Sequence, residues 1–157
     1  MPDIRPVTKD NWRELIRLQV RDDQKGFVAS NVKSIAEAQF GFDEPEYGHW
    51  DFHPFGIYDG DEPVGFLMYG YNFGRLKQQA FIVRLMVDEK FQGKSYGRFA
   101  MQKMLEIFRA DERIEAVGIS YEPENEVARR LYASLGFVET GELLGDGDET
   151  LAVLKLR

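Results

Sequence analysis

Residues 91–98 read Phe91-Gln92-Gly93-Lys94-Ser95-Tyr96-Gly97-Arg98 and join an apolar run to a helical pattern. Upstream, Ala80-Phe81-Ile82-Val83-Arg84-Leu85-Met86-Val87 is rich in β-branched and aromatic residues and bounded by charge, as a largely buried strand should be. Downstream, Tyr96, Ala100, Met104 and Phe108 recur at helical spacing beside Phe99, Met101, Leu105 and Ile107. A strand, a glycine-bearing turn and a helix start in that order bring unpaired N–H groups and the positive end of a helix dipole to one point, which favours a phosphate. The same order is also the ordinary way for a chain to leave a strand, so the turn alone leaves both readings open.

Spacing narrows the ligand. Gly93-Lys94-Ser95 invites a nucleoside-triphosphate loop, but that pattern needs a glycine at position 88, where the chain has Asp88. The three-glycine dinucleotide fingerprint also fails, because the window holds only Gly93 and Gly97. What remains is glutamine or arginine, two free positions, glycine, one free position, then glycine or alanine. Gln92 and Gly97 match it, with Ser95 standing where the first glycine is usual. This resembles the acetyl-CoA pyrophosphate loop of the GNAT superfamily of N-acetyltransferases.

A second segment resembles the same family. Asn125-Glu126-Val127-Ala128-Arg129-Arg130-Leu131-Tyr132-Ala133-Ser134-Leu135-Gly136-Phe137 is similar to the family's segment with Asn, Ala, Leu-Tyr and Gly-Phe at those positions. Its mechanics also stand alone. Asn125 suits a helix N-cap, Ala128, Leu131 and Leu135 share an apolar face, and Gly136 permits the positive φ that ends many helices. Packing and capping account for all of these residues, and for Tyr132 least well.

Composition sets the frame. The chain has 157 residues, the size of one domain, and we read residues 1–157 as a single N-acetyltransferase domain that buries about 70% of its unfolded surface. With 43% hydrophobic and 30% charged residues it has ordinary globular composition, and no run is long enough for a membrane span. The absence of cysteine excludes disulfides, thiolate nucleophiles and cysteine zinc sites, and no metal site is read. No secretory signal is evident in Met1-Pro2-Asp3-Ile4-Arg5, so a cytoplasmic location is expected. A net charge of −7 argues against nonspecific nucleic-acid binding and tolerates a cationic small substrate. A homodimer is compatible with the sequence but is not required by it.

The remaining elements are expected as follows. Residues 4–7 form a first strand, Thr8 caps a helix carrying Trp12, Leu15, Ile16 and Leu18, and a second helix covers residues 34–40. Residues 55–58 and 64–71 form a hairpin around Asp59-Gly60-Asp61-Glu62-Pro63, and Asn72-Phe73-Gly74-Arg75 turns into the strand ending at Val87. After the long helix come a strand at 116–121, a helix at 125–134, a strand at 137–140, a turn through Gly145-Asp146-Gly147-Asp148, and a strand at 151–156. Strand, two helices, three strands, helix, strand, helix, two strands is an α/β mixed sheet. The resemblance implies the GNAT-type acyl-CoA N-acyltransferase fold, antiparallel early and parallel at its centre.

The resemblance also implies roles. The strand carrying Leu85-Met86-Val87 would splay from the strand ending at Ser120-Tyr121 and leave backbone groups for pantetheine, with the N–H of Met86 or Val87 donating to the thioester oxygen. Gln92, Gly93, Lys94, Ser95, Tyr96, Gly97 and Arg98 would hold the pyrophosphate. Asn125 and Ala128 would line the pantetheine arm, and Tyr132 would protonate the leaving thiolate, since a phenol of pKa about 10 keeps its proton at neutral pH. An alkylamine of pKa about 10.4 is ammonium at pH 7, a gap of about 4.6 kcal/mol, so a base or a deprotonating water path is needed. Related polyamine acetyltransferases can carry a carboxylate where this chain has Val83, so Glu122 is read as the base, directly or through water, or else as a solvated strand-end carboxylate. His49 and His53, in an aromatic loop, are read as structural.

The stretch Gln24-Lys25-Gly26-Phe27-Val28-Ala29-Ser30-Asn31 with Ser34-Ile35-Ala36-Glu37-Ala38 is similar to bacterial spermine/spermidine acetyltransferases, and Phe91-Gln92-Gly93-Lys94 supports this. A polyamine needs spaced carboxylates, which Glu37, Asp43, Glu44, Glu46 and Asp51 could supply beside Tyr121. Phe27, Phe40, Phe42, Tyr47 and Trp50 would wall such a groove, or form core. Competing readings are an acetyltransferase for a protein or peptide amine or an aminoglycoside, and a noncatalytic acetyl-CoA-binding module.

Overall fold

The computed structural model describes residues 1–74 and 77–157; Arg75, which closes the turn expected at 72–75, lies outside them. The elements run β1 (Pro2–Pro6), α1 (Trp12–Leu15), a 3-10 turn (Asp22–Gln24), α2 (Asn31–Phe40), β2 (Phe42–Glu44), β3 (Gly48–Asp59), β4 (Glu62–Tyr71) and β5 (Ala80–Val87). They continue through α3 (Tyr96–Ala110), β6 (Ala116–Tyr121), α4 (Glu126–Ser134), β7 (Val138–Leu144) and β8 (Glu149–Lys155). This is the expected mixed α/β order with one addition, the short β2, which pairs with the start of β3.

The strands lie in the order β1, β3, β4, β5, β6, β8, β7. Every pairing is antiparallel except β5 with β6, at the centre. β4 is buried on both faces, so its sequence is a continuous apolar run rather than an alternation. Leu67 and Tyr69 pack with Ala100, Met101, Met104, Leu105 and Phe108 of α3. Phe66 and Met68 face the other way, against Leu18, Val20, Val28, Ile35 and Ala38.

Three local expectations are corrected. The first helix is a single turn, with Asn11 rather than Thr8 as its N-cap; the Thr8 hydroxyl instead accepts from the N–H of Asp10. The second helix starts three residues earlier, at Asn31, because the Ser30 side chain accepts from the N–H of Lys33. The strand expected at 137–140 runs on to Leu144 as β7, and the one expected at 151–156 starts two residues earlier, at Glu149, as β8; the two are joined through Gly145 and Gly147, both at positive φ. Gly136 has φ +100 and ends α4 as expected. Among the described residues no helix is long and apolar enough to cross a membrane.

Candidate active site

The site grows from the point where β5 and β6 part. Their parallel ladder consists of Ala80↔Val117, Phe81↔Gly118 and Ile82↔Ile119 and goes no further. On its other side β5 stays paired with β4, but Met68↔Arg84 is followed by Tyr69↔Ile82, so Val83 is bulged out of the ladder. A bulge bends a strand and raises its twist, which turns the C-terminal half of β5 away from β6.

Which backbone groups face the gap follows from the ladder. The N–H of Asp88 donates to the Val64 carbonyl, and antiparallel bonding alternates every second residue. The N–H of Met86 therefore points at β4, while those of Leu85 and Val87 point away from it. The Val87 carbonyl, on that same side, accepts from the Gln92 amide at 3.0 Å. Of the two donors considered from sequence, Val87 is the one the ladder leaves free.

A cavity of about 460 Å³ begins there and runs to the start of α3. Leu85, Met86, Val87, Gln92, Gly93, Ser95, Tyr96, Gly97, Arg98, Asn125, Ala128 and Tyr132 all line it. Lys94 does not; its ammonium lies 5.8 Å over the Phe91 ring. Ser95 is the N-cap of α3 with φ +69 and makes no side-chain cap, so the N–H groups of Tyr96, Gly97 and Arg98 have no partner in the helix. A Cβ on Gly93 would have no atom within 4 Å, and one on Gly97 would touch only Leu131 at 3.7 Å and Val87 at 4.0 Å. Packing does not demand either glycine, and their missing side chains widen the cavity.

Gln92 and Tyr96 support the loop rather than face the cavity with free polar groups. The Gln92 amide donates to Val87 and, at 2.8 Å, to Gln24, and the Tyr96 hydroxyl donates to Asp59. Arg98 reaches Ser134 on α4 at 2.8 Å. Val20, Arg21, Gln24, Phe27 and Val28 complete the wall. Of these, the sequence links Gln24, Phe27 and Val28 to the acceptor alone, because nothing local to them reports that they also wall this cavity.

A second cavity, about 560 Å³, adjoins the first through Phe27, Val28, Leu85, Asn125 and Tyr132. Asn125 caps α4, its side chain accepting from the N–H of Ala128 at 3.3 Å. That fixes the helix on which Tyr132 sits, 8% exposed, its ring 5.5 Å from that of Tyr121. Among the described residues nothing hydrogen-bonds the Tyr132 hydroxyl, and burial, with Tyr121 beside it, pushes its pKa above the ordinary phenol value. Glu122 lines this cavity, half-buried. Tyr121 lines it too, but its hydroxyl donates to Glu139 at 2.7 Å; burial and that bond push it up to about 12.

A third cavity of about 390 Å³ shares Phe81, Val83, Ser120 and Glu149 with the second. Its walls are Phe42, Tyr47, Trp50, Phe52 and Leu151, and its charged groups are Glu44, Glu142 and Glu149. Two carboxylates expected to bind substrate face elsewhere. Glu37 lies 3.4 Å from the Arg84 guanidinium and 3.8 Å from Lys33, and Asp43 pairs with His49. Neither lines these cavities, nor do Glu46, Asp51 and Phe40. Arg84, which lines the second cavity, and Glu142 and Glu149 were missed in the sequence.

A parted central strand pair with a glycine-bearing helix start below it is the architecture of an acyl-CoA-dependent acetyltransferase. The chain belongs to the Acetyltransferase (GNAT) family, whose sequence profile matches residues 12–137. It is similar to the spermine/spermidine N(1)-acetyltransferase of Bacillus subtilis strain 168, with 27% identity over 153 residues and 95% of each chain covered. Among solved structures it resembles the Vibrio cholerae spermidine N-acetyltransferase in complex with CoA and spermine, with a TM-score of 0.73, 15% identity, and 99% of this chain and 95% of that one covered. It also resembles the Escherichia coli ribosomal-protein-S18-alanine N-acetyltransferase, with a TM-score of 0.65, 17% identity, and 98% and 91% covered. These two likenesses establish the fold; the family makes the chain an N-acetyltransferase.

Proposed function

We propose that this enzyme moves an acetyl group from acetyl-CoA to a primary amine of a small polycation of the spermine or spermidine class, by direct attack in a ternary complex. The observation that carries the acceptor assignment is the third cavity, where aromatic walls surround Glu44, Glu142 and Glu149 with no basic side chain in the lining among the described residues. Methylene segments suit the aromatic surfaces, and each partly desolvated ammonium needs a carboxylate.

The first cavity suits acetyl-CoA: free N–H groups of Tyr96, Gly97 and Arg98 and the α3 dipole for the pyrophosphate, with Gly93 and Gly97 opening the approach. When bound, acetyl-CoA supplies an acetyl thioester whose C–S bond breaks as the amine nitrogen forms the new C–N bond. The N–H of Val87 points toward the gap where the thioester oxygen would lie, and one preorganised donor can contribute about 3 kcal/mol in the transition state. Glu122 takes a proton from the entering ammonium, directly or through water. Tyr132 gives its proton to the departing sulfur and regains one from the amide nitrogen as it forms. The balance is one proton released to solvent through Glu122.

The test mixes the enzyme and acetyl-CoA with spermine, spermidine, an aminoglycoside and an N-terminal peptide, and follows thiol release. Turnover with the polyamines is expected. Preference for the peptide or the aminoglycoside would replace the acceptor and keep the chemistry.

A further inference from the structure

Glu149 opens β8 at the end of a glycine-rich turn, a place with no motif to mark it. Carrying the β6–β8 register one step past Tyr121↔Thr150 sets Glu149 opposite Glu122. Residues opposed across an antiparallel pair share a face, and both carboxylates line the second cavity. Glu149 is also the one ionisable side chain, among the described residues, in the wall common to the second and third cavities. Ser120 donates to its Oε2 at 3.4 Å.

Two further observations bear on what this throat receives. The Tyr132 side chain is 8% exposed, lines the same cavity, and leaves its hydroxyl without a hydrogen-bond partner among the described residues. The Arg84 guanidinium, which lines the cavity, lies 3.4 Å from Glu37, a carboxylate outside the cavity wall, and donates to the Val83 carbonyl. Among the described residues, the cavity-lining carboxylates without an ion-pair partner are Glu122 and Glu149.

We propose that Glu149 is a positioning and specificity residue: it holds the attacking nitrogen as an ammonium between itself and Glu122, and keeps its own charge while Glu122 accepts the proton. The inference rests on the amine-acetyltransferase reading. It makes the throat select for cationic acceptors, because two carboxylates on one face attract a cation more strongly than either does alone.

Steady-state kinetics of the full chain with spermidine and acetyl-CoA test it. Glu149→Gln is expected to raise the spermidine KM by about tenfold or more, with kcat within about threefold. The acetyl-CoA KM and the melting temperature should stay at wild-type values, which a merely structural role would move together. Glu149→Asp should restore most of the loss, and Ser120→Ala should reproduce it more weakly. A spermidine KM in Glu149→Gln within about twofold of wild type overturns the proposal and leaves the acetyltransferase reading intact. Wild-type enzyme that acetylates no amine in the panel overturns that reading, and the role of Glu149 with it.

Discussion

Ile82 and Ile119 form the last pair of the parallel ladder between β5 and β6. One residue later, Val83 drops out of the β4–β5 ladder as well. The end of one pairing and the bulge in the other coincide, so the gap that receives Leu85, Val87 and Tyr132 is a property of backbone register. Side-chain substitutions around it should alter catalysis without closing it.

Tyr132→Phe is the direct test of the acid. The hydroxyl has no hydrogen-bond partner among the described residues, so its loss leaves no protein group unsatisfied. Turnover should fall about 100-fold or more with acetyl-CoA affinity retained, measured by thiol release and by calorimetry. An unchanged rate removes Tyr132 from the chemistry.

The pH profile follows from the same residue. Burial raises the Tyr132 pKa above its ordinary value, so the proton-donating form persists through the alkaline range. The acceptor enters as an ammonium and keeps that form up to its pKa of about 10.4. The value of kcat/KM should therefore show no descending limb by about pH 9.5. A descending limb near pH 8 would mean that another group donates the proton.

Gly97→Ala separates folding from binding. Gly97 lies in the first turn of α3, and a Cβ there meets only ordinary contacts with Leu131 and Val87. Alanine should raise stability by up to about 1 kcal/mol through helix propensity. The added methyl also projects into the first cavity, so acetyl-CoA should bind about tenfold or more weakly. Opposite signs in thermal melting and in calorimetry are the expected signature; tighter or equal cofactor binding would show that no ligand approaches Gly97.

Ser95 is the non-glycine residue at positive φ among the described residues, with φ +69. Glycine relieves that conformation, so Ser95→Gly should stabilise the fold by about 0.5 to 1 kcal/mol. Acetyl-CoA affinity should change by no more than a few fold. A larger loss would identify the hydroxyl as a ligand.

Legibility in the sequence followed locality. The strand at 80–87, the helix beginning at Tyr96 and the strand at 116–121 were readable because burial on both faces or one stripe writes itself into residue order. So were Asn125 and Gly136, whose roles depend on backbone geometry within a turn. The short α1 was overestimated because Leu18 is apolar for packing beneath β4 and not for helical continuity. Carboxylates were least legible. Glu37 and Glu149 look alike in sequence, and only long-range pairing shows that one faces Arg84 and the other the throat.

That contrast yields the last prediction. Glu37 is 34% exposed and lies 3.4 Å from Arg84, which is 21% exposed and lines the second cavity. Neutralising Glu37 leaves a cation uncompensated beside the acceptor, so Glu37→Gln should raise the KM for a polyamine by about three- to tenfold. The effect runs through Arg84, not through contact with the amine. Arg84→Met keeps the apolar stem while removing the charge, so the double variant Glu37→Gln/Arg84→Met should return the KM toward wild type. If Glu37 instead touched the amine itself, the double variant would remain as impaired as Glu37→Gln alone, and the cycle would return the carboxylate to the acceptor site.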